Sequence, residues 1–526
     1  MSITRRSVLA GALASIAAPA IIGRAMAVQA GGQLPIPPLV DATNGIAKLE
    51  TISGASSFID GATTDTLGFS QSYLGPVLRF KQGELARVSV KNRLKFPVTS
   101  HWHGLHVPAI MDGGPQLEIK PGRSWDVELP VSQAAATLWY HSHVHGVTAE
   151  HVYAGLAGMI IVDGAGPDDQ ILPSNYGVDD LPLVLQDRAF NEDGAFYYIK
   201  QGPALMHGFR ADQMMVNGAV RPQASVPSGL VRLRLLNGSN ARIYHLRFSD
   251  GRKFHQIASD AGLLGAPVSM TKLTLAPAER VELLVDFSNG DAATLLSGQD
   301  FNDPMGGGMM GGMMQGMMGG MLPGSPAPSE LGDGEEFEVM RFKPDASKKS
   351  SVSVLPKQFE GAPQPDFDEP EVQRDFVLNM HAPGRGMGRG MGQGMGRGMG
   401  RGMGRGMGRG MRGGGVMGMM SINDGSYDPD RIDVKMSRGR TELWRIYADE
   451  MAHPFHVHGT AFQVVRENGR PVDFATTGMK DVTLVQGEAE LLVKVDHEAL
   501  DAVPFMYHCH ILEHEDAGMM GQFTVS

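Results

Sequence analysis

The sequence predicts an all-β protein built from β-sandwich or β-barrel domains. Short runs of alternating apolar and polar residues recur between Gly, Pro and Asp turns, and helical periodicity is scarce. Leu85–Leu94, Trp125–Leu129 and Gly158–Val162 are predicted strands of this kind. A chain of 526 residues is too long for one hydrophobic core, so about three domains are expected.

The bulk composition narrows the possible partners. A formal net charge of −11 disfavours nucleic acid as a partner. The 34 methionines are concentrated in two glycine-rich segments, 303–325 and 384–420. So much glycine cannot support a packed helix or strand. Two interpretations remain open for these segments: low-complexity insertions without a site, or soft-metal handling, because thioethers select Cu(I). The arginines of the second segment complicate the metal interpretation.

The N-terminus predicts export. Arg5 and Arg6 precede an apolar run that ends near Ile22, and Ala25-Met26-Ala27 fits a cleavage site. Residues 1–27 therefore indicate a twin-arginine signal peptide, with the twin-arginine export machinery as a partner and the periplasm as the destination. The alternative is a membrane anchor, for which the run is short. No later stretch is long and apolar enough, so the mature protein is expected to have no membrane span.

The strongest chemical signal surrounds the only cysteine, Cys509. It lies at the end of an apolar predicted strand, where alternate side chains face opposite ways. His508 and His510 then point to one side and Cys509 to the other. His514 and Met519 follow and can return to the cysteine side. One thiolate, two imidazoles and a weak axial thioether form a blue-copper site, so one histidine from elsewhere is required.

His453 supplies that histidine, because Pro454 keeps it extended and it stands apart from the paired histidines. Four His-x-His pairs account for eight more imidazoles, each pair on one face of an extended backbone: His101 and His103, His141 and His143, His456 and His458, His508 and His510. Zinc is the alternative metal, but it has no use for an axial thioether or for four such pairs. The remaining histidines of the first two domains are predicted to be non-ligands.

These blocks resemble those of multicopper oxidases: His-Trp-His-Gly, His-Ser-His, His-Pro-Phe-His-Val-His-Gly and His-Cys-His-Ile-Leu-Glu-His-x4-Met. The resemblance covers the whole mature chain, and the export signal and methionine segments make it most similar to the bacterial copper-efflux branch. It implies three cupredoxin-like Greek-key domains, at 28–165, 166–345 and 346–526. The second would carry no copper and act as a structural spacer.

The resemblance further implies four copper ions. Type 1 copper would be held by His453, Cys509, His514 and Met519. Type 2 copper would be held by His101 and His456. The two type 3 ions would be held by His103, His141 and His510, and by His143, His458 and His508. Electrons would enter at type 1 copper and pass through Cys509 and its bonded neighbours. The trinuclear cluster would reduce dioxygen to water.

The same resemblance assigns proton delivery to Asp112 and Glu515. The alternatives are an Asp-Gly turn residue for Asp112 and a solvated acid for Glu515. It also suggests a site for substrate Cu(I), at Met380, Asp449 and Met451. An acid expected shortly after the first of these is missing, which weakens the likeness, and Met451 could instead be ordinary packing.

The sequence therefore predicts a monomeric periplasmic oxidase that oxidises Cu(I), together with phenols and aromatic amines, and confers copper tolerance. One alternative is a laccase with organic substrates, in which the methionine segments only cover the entrance. Another is a copper-sequestering protein whose methionine segments are the working part. A copper nitrite reductase is disfavoured, because it does not need four His-x-His pairs.

Overall fold

The computed structural model describes residues 31–43, 45–298, 336–380 and 420–526. The predicted signal peptide at 1–27, the segment 303–325 and all but the last residue of the insertion 384–420 lie outside the described residues. Among the residues described, no helix is long and apolar enough to cross a membrane.

The first part of the chain forms a β-sandwich. Its strands are β1 (Leu39–Asp41), β2 (Ile46–Ser56), β3 (Thr64–Phe69), β4 (Val77–Lys81), β5 (Leu85–Asn92), β6 (His101–His103), β7 (Ser124–Pro130), β8 (Ala136–His141) and β9 (Ala157–Asp163). One sheet has the order β1-β4-β9-β8-β6 and the other β3-β2-β5-β7. Alternate residues of β5 point inward, and Val88 packs in one core with Leu138 and Ile160 of the facing sheet. Two short helices, α1 (Ala109–Asp112) and α2 (Thr148–Ala154), lie in the connections.

The second part repeats this architecture after a 3-10 turn at Pro167–Gln170. Its elements are β10 (Asp180–Phe190), β11 (Phe196–Tyr197), α3 (Pro203–His207), β12 (Gln213–Val216), β13 (Ala219–Val220), β14 (Gln223–Pro227), β15 (Leu230–Asn237), β16 (Tyr244–Phe248), β17 (Phe254–Ser259), β18 (Gly262–Met270), β19 (Leu273–Leu275), β20 (Arg280–Asp286), β21 (Ala293–Gly298) and β22 (Phe337–Asp345). One sheet runs β13-β12-β10-β15-β20-β17-β18, with β11 paired to β10. The other runs β14-β22-β21-β16-β19. Leu233 and Phe248 belong to the core between them.

The third part is organised around one long strand. Its elements are β23 (Val372–Asn379), β24 (Ser421–Ile422), β25 (Val434–Met436), β26 (Thr441–Val457), β27 (Phe462–Glu467), β28 (Arg470–Pro471), α4 (Phe474–Thr477), β29 (Val482–Lys494), β30 (Phe505–Cys509), α5 (Leu512–Asp516) and β31 (Met520–Val525). The sheet order is β25-β31-β30-β26-β29-β27-β28, and β23 also pairs with β26. The register of β26 against β29 shifts between Ala448 and His453, directly before the histidine-rich end of the strand.

The predicted all-β class is confirmed, and the predicted strands occur within a residue or two of their expected bounds. One expectation differs in detail: the C-terminal strand ends at Cys509, so His510 lies just beyond it. The domain boundaries after 165 and 345 stay predictions.

A further apolar cluster joins the three parts. It includes Trp139 from the first, Val184 and Ala278 from the second, and Val482 and Leu512 from the third. Burial of apolar surface is the main attraction between packed elements, so this cluster holds the three parts together around the histidine motifs.

Candidate metal centre

Strand pairing brings the separated histidine motifs together. Strand β6 pairs antiparallel with β8, which sets His101 opposite His141. Strand β26 pairs antiparallel with β30, which sets His456 opposite His508. The sheet of the first part therefore places two histidine motifs side by side, and the sheet of the third part does the same with the other two.

The two pairs of motifs meet in one buried cluster. Within the described ranges, three groups place imidazole nitrogens within 4.8 Å of one another: His101, His103 and His456; His103, His141 and His510; His143, His458 and His508. These groups contain all eight imidazoles of the His-x-His pairs. The structure thus brings together the residues predicted for type 2 and type 3 copper, while the copper types themselves stay a prediction.

A separate group surrounds the cysteine. The Nδ1 atom of His453 lies 3.3 Å from Cys509 Sγ, and the Nδ1 atom of His514 lies 3.6 Å from it. The two Nδ1 atoms are 3.3 Å apart. Helix α5 returns His514 to this side of the strand. Met519 is fully buried, and its carbonyl oxygen accepts a hydrogen bond of 3.1 Å from the amide of Cys509. Three donors thus converge on one point beside the predicted axial residue.

Burial sets the protonation of these groups. Loss of solvent lowers the pKa of His453 and of His508 to about 3. It lowers the pKa of seven more imidazoles of the two groups well below the ordinary range: His103, His141, His143, His456, His458, His510 and His514. These rings are neutral near pH 7 and have lone pairs to donate. Burial raises the pKa of the Cys509 thiol, so a bound cation is needed to hold the thiolate.

The donor set fits copper. Four cluster rings hold one nitrogen near an oxygen and leave the other without a hydrogen-bond partner among the described residues: His101 Nε2, His103 Nδ1, His141 Nε2 and His456 Nε2. The other nitrogen of each ring lies near an oxygen, in the same order: 3.0 Å from Asp112 O, 3.2 Å from Asp481 Oδ1, 2.9 Å from Ser142 O and 2.7 Å from Asp481 O. Such outer contacts fix the tautomer, so each unpartnered nitrogen presents a lone pair to a metal. Imidazoles with one thiolate and a thioether are copper ligands.

The two predicted acids lie against this cluster. The Oδ2 atom of Asp112 is 2.8 Å from His458 Nδ1 and 3.2 Å from His101 Nδ1. The carboxyl oxygens of Glu515 are 3.4 Å from His143 Nδ1 and 3.3 Å from His508 Nδ1. Both acids are buried, so neither is a solvated surface group, although Asp112 does precede a tight turn at Gly113.

The predicted substrate residues are placed less completely. Met380 and Met451 are buried in the same core as Cys509, and the side chain of Asp449 lies outside the described part of the chain. Met420, the last residue of the methionine-rich insertion, is also in that core. Its amide donates a hydrogen bond of 3.2 Å to the carbonyl oxygen of Ala517, between His514 and Met519.

Sequence reasoning missed Asp481 and Arg280. Asp481 touches two cluster imidazoles, and Arg280 of the second part binds Asp481 through both carboxylate oxygens, at 2.6 and 2.5 Å. Neither residue belongs to a histidine motif. In the sequence, each is only a charged residue directly before a run rich in apolar residues. His106, His145 and His151 lie outside these groups among the described residues, and their assignment as non-ligands stays a prediction.

Comparisons with known proteins identify the family to which these histidine motifs belong. Residues 51–166 and 408–526 match family models described as multicopper oxidase. The cell division protein FtsP of Dickeya dadantii (strain 3937) is 34% identical over 100% of this chain and 99% of its own length.

Solved structures agree in fold. The laccase-like multi-copper oxidase CueO from the lignin-degrading Ochrobactrum sp. is 36% identical, with 94% of this chain and 100% of that one covered and a TM-score of 0.77. A multicopper oxidase from Campylobacter jejuni, described as a metallo-oxidase, is 26% identical, with 95% and 96% covered and a TM-score of 0.73. The predicted architecture of three cupredoxin-like domains is thereby confirmed, and copper is the metal that this likeness implies. The chain belongs to the multicopper oxidase family.

Proposed function

We propose that this protein is a periplasmic oxidase that takes single electrons from Cu(I) and passes them to dioxygen. The observation that carries the proposal is the covalent connection of two sites. His508 and His510 are cluster residues, and Cys509 between them belongs to the second group. A chain that only sequestered copper would not need a thiolate bonded into the middle of a histidine cluster.

Four copper ions held by these groups would supply one-electron transfer and the reduction of dioxygen to water. The protein would supply the path and the insulation. Cys509 reaches each neighbouring histidine through one peptide unit, the shortest covalent route between the two sites. All members of both groups are buried, so water is excluded from the path between the two sites.

Two carboxyl groups would supply protons to the cluster. Burial raises the pKa of Glu515 well above its ordinary range, so this acid holds a proton near neutral pH. Its oxygens lie beside His143 and His508. Asp112 lies beside a different pair of imidazoles, those of His101 and His458. A general acid within reach of the reacting group is the arrangement that proton transfer requires.

Cu(I) is the proposed substrate because several buried thioethers share the apolar core of the cysteine site. Met380, Met420 and Met451 share the core of Cys509 and Met519. The methionine-rich insertion begins and ends in this core, because β23 and β24 on its two sides pair with each other. The insertion is therefore attached beside the predicted point of electron entry, where soft ligands select Cu(I).

The test is oxygen uptake by copper-loaded protein. Wild-type protein is expected to be blue and to consume oxygen with Cu(I). Cys509→Ser is expected to lose the colour and the activity. Met436→Leu, a change at a sulfur in the same core, serves as the matched control and keeps both. Full activity of Cys509→Ser would overturn the scheme, and absence of turnover in the wild type would leave sequestration as the function.

A second experiment separates substrates. Residues 384–416 are deleted, which leaves Met420 and its bond to Ala517 in place. Cu(I) oxidation is expected to fall, and oxidation of a phenol is expected to persist. Unchanged rates with both substrates would favour the laccase alternative. The description of CueO from Ochrobactrum sp., which has oxidase activity towards lignin model compounds and lignosulfonate, supports testing that alternative.

The name shared by the full-length curated relatives supports a second candidate function, a role in cell division. The two functions are separable in a bacterial strain that lacks its own FtsP and forms filaments. If Cys509→Ser restores division as well as the wild type does, the division role does not depend on oxidase chemistry. If only the wild type restores division, the redox site serves both roles.

A further inference from the structure

We infer that Arg280 of the second domain is a positioning residue for the histidine cluster. It holds the carboxylate of Asp481, which in turn orients His103. The inference rests on the proposed function in one respect, because His103 matters as a copper ligand. It assigns to the second domain a part in the site, beyond that of a spacer.

Arg280 is fully buried and uses every donor that it has. A guanidinium carries five N–H groups. They go to the carbonyl oxygens of Thr137, Ala278 and Asp260 and to both carboxylate oxygens of Asp481, at 2.5 to 3.1 Å. Thr137 belongs to the first domain and Asp481 to the third. One side chain therefore joins all three domains at the edge of the cluster.

Asp481 transmits this restraint to two imidazoles. Its Oδ1 atom lies 3.2 Å from His103 Nε2, and its carbonyl oxygen accepts a hydrogen bond of 2.7 Å from His456 Nδ1. An acceptor at Nε2 places the proton there and leaves Nδ1 of His103 as the donor atom for a metal. The bidentate bond from Arg280 keeps Oδ1 in the position that this requires.

Gly104 gives independent evidence that the Asp481–Arg280 pair needs the space beside the first histidine motif. It follows His103, at a φ of +87°. A Cβ atom built there would lie 2.5 Å from Asp481 Oδ2 and 2.7 Å from Arg280 Nη2. The glycine of the His-Trp-His-Gly block therefore leaves room for a carboxylate and a guanidinium from two other domains.

The experiment compares Arg280→Met and Arg280→Lys with Arg234→Lys. Arg280→Met keeps an unbranched side chain and removes all five donors, and Arg280→Lys keeps the charge in case the first variant does not fold. Arg234 is the matched control. It is a buried arginine of the same sheet with a bidentate carboxylate partner, Asp180, and it also bonds to Thr137. Arg234 has no contact with the histidine cluster among the interactions described.

The first readout is the crystal structure of each metal-free variant. Loss of the bidentate bond is expected to release Asp481, to lengthen its 3.2 Å contact with His103 Nε2 beyond hydrogen-bond distance, and to rotate the ring. Arg234→Lys is expected to leave both unchanged. If His103 and Asp481 keep their positions in the Arg280 variants, the inference is wrong. This readout needs no copper, so it judges the inference even if the wild type proves not to bind the metal.

The second readout is copper retained against a chelator, with blue absorption measured in parallel. Outer-shell changes of this kind cost about 10- to 100-fold in metal affinity. The Arg280 variants are expected to lose cluster copper at correspondingly lower chelator concentrations, while the blue colour of the cysteine site persists. Retention equal to that of Arg234→Lys would overturn the inference. A colourless, copper-free wild type would instead overturn the proposed function.

Discussion

At the scale of single residues, the pKa values of two buried carboxyl groups, Glu282 and Glu515, shift in opposite directions because their neighbours differ. Burial alone would raise the pKa of Glu282, but the charges of Arg232 and Arg234 outweigh it and lower that pKa to about 2. Arg232 Nε donates to Glu282 at 2.8 Å and Arg234 Nη1 at 2.9 Å. Glu515 has no such cation among its described contacts, and burial raises its pKa. One acid is thus a structural anion, and the other is the proposed store of protons.

The structural anion predicts acid sensitivity. The pKa of Glu282 falls from 4.5 in the unfolded chain to about 2 in the folded protein. Its contribution to stability, about 3 kcal/mol, is present above pH 4.5 and is lost as the pH falls towards 2. Urea unfolding at pH 7 and pH 3 is expected to show a smaller loss of stability in Glu282→Gln than in the wild type. Equal losses in both proteins would contradict this account.

If Glu515 supplies protons to the cluster, its replacement should impair only the reduction of oxygen. Glu515→Gln keeps the size of the side chain and removes the acidic proton. Copper content and the rate at which Cu(I) bleaches the blue colour without oxygen are expected to stay normal. Return of the colour on admitting oxygen is expected to slow by about 100-fold, the lower range for general acid catalysis. Stopped-flow absorbance separates the two half-reactions, and slowed bleaching would assign Glu515 to electron entry instead.

At the scale of elements, tight backbone approaches fix the first domain to the cluster. Helix α1 ends at Asp112, and Gly113 follows in the left-handed region at a φ of +82°. A Cβ atom at Gly113 would overlap the carbonyl oxygen of Ser100, directly before strand β6. The position of the Asp112 carboxylate beside His101 therefore depends on this contact.

Two glycine variants test that dependence. Gly122 has a similar φ of +74°, but nothing lies within 4 Å of its would-be Cβ. Gly122→Ala is expected to cost about 1 kcal/mol of stability from backbone strain alone. Gly113→Ala is expected to cost roughly 3 kcal/mol or more, because backbone must also move. Thermal unfolding gives both values, and equal costs would show that the close approach of Gly113 to Ser100 does not affect stability.

Elements also show how far sequence reasoning reaches. Alternation of apolar residues predicted β5, β7 and β9, and the period of two predicted that the members of each His-x-His pair share a face. The spacing of residues 508–519 predicted the cysteine group, although the strand ends at Cys509 and a helix, α5, returns His514. Contacts between charged residues that are far apart along the chain produce no periodic pattern in the sequence. Arg280 and Asp481 are 201 residues apart, so only the folded chain reveals that they meet.

At the scale of the whole molecule, the cluster is an interface. His101, His103, His141 and His143 come from the first domain, and the other four imidazoles come from the third. Asp112 of the first domain contacts His458 of the third at 2.8 Å. Gln116 of the first donates to Gln522 of the third at 2.6 Å, and Asn240 of the second donates to Glu513 of the third at 2.9 Å. The predicted metal ligands of two domains thus lie in the same interface as direct contacts between the domains.

Copper is consequently expected to stabilise the docked domains. Ions that bind donors of two domains bind the folded protein alone, and at a free concentration 1,000 times the Kd this adds about 4 kcal/mol of stability. Calorimetry before and after chelation should show a lower unfolding midpoint without copper. His143→Ala removes one first-domain donor, so copper should raise its midpoint less than in the wild type. If the copper-loaded and metal-free wild-type proteins unfold at one temperature, docking of the domains is independent of the metal, and the cluster forms before copper arrives.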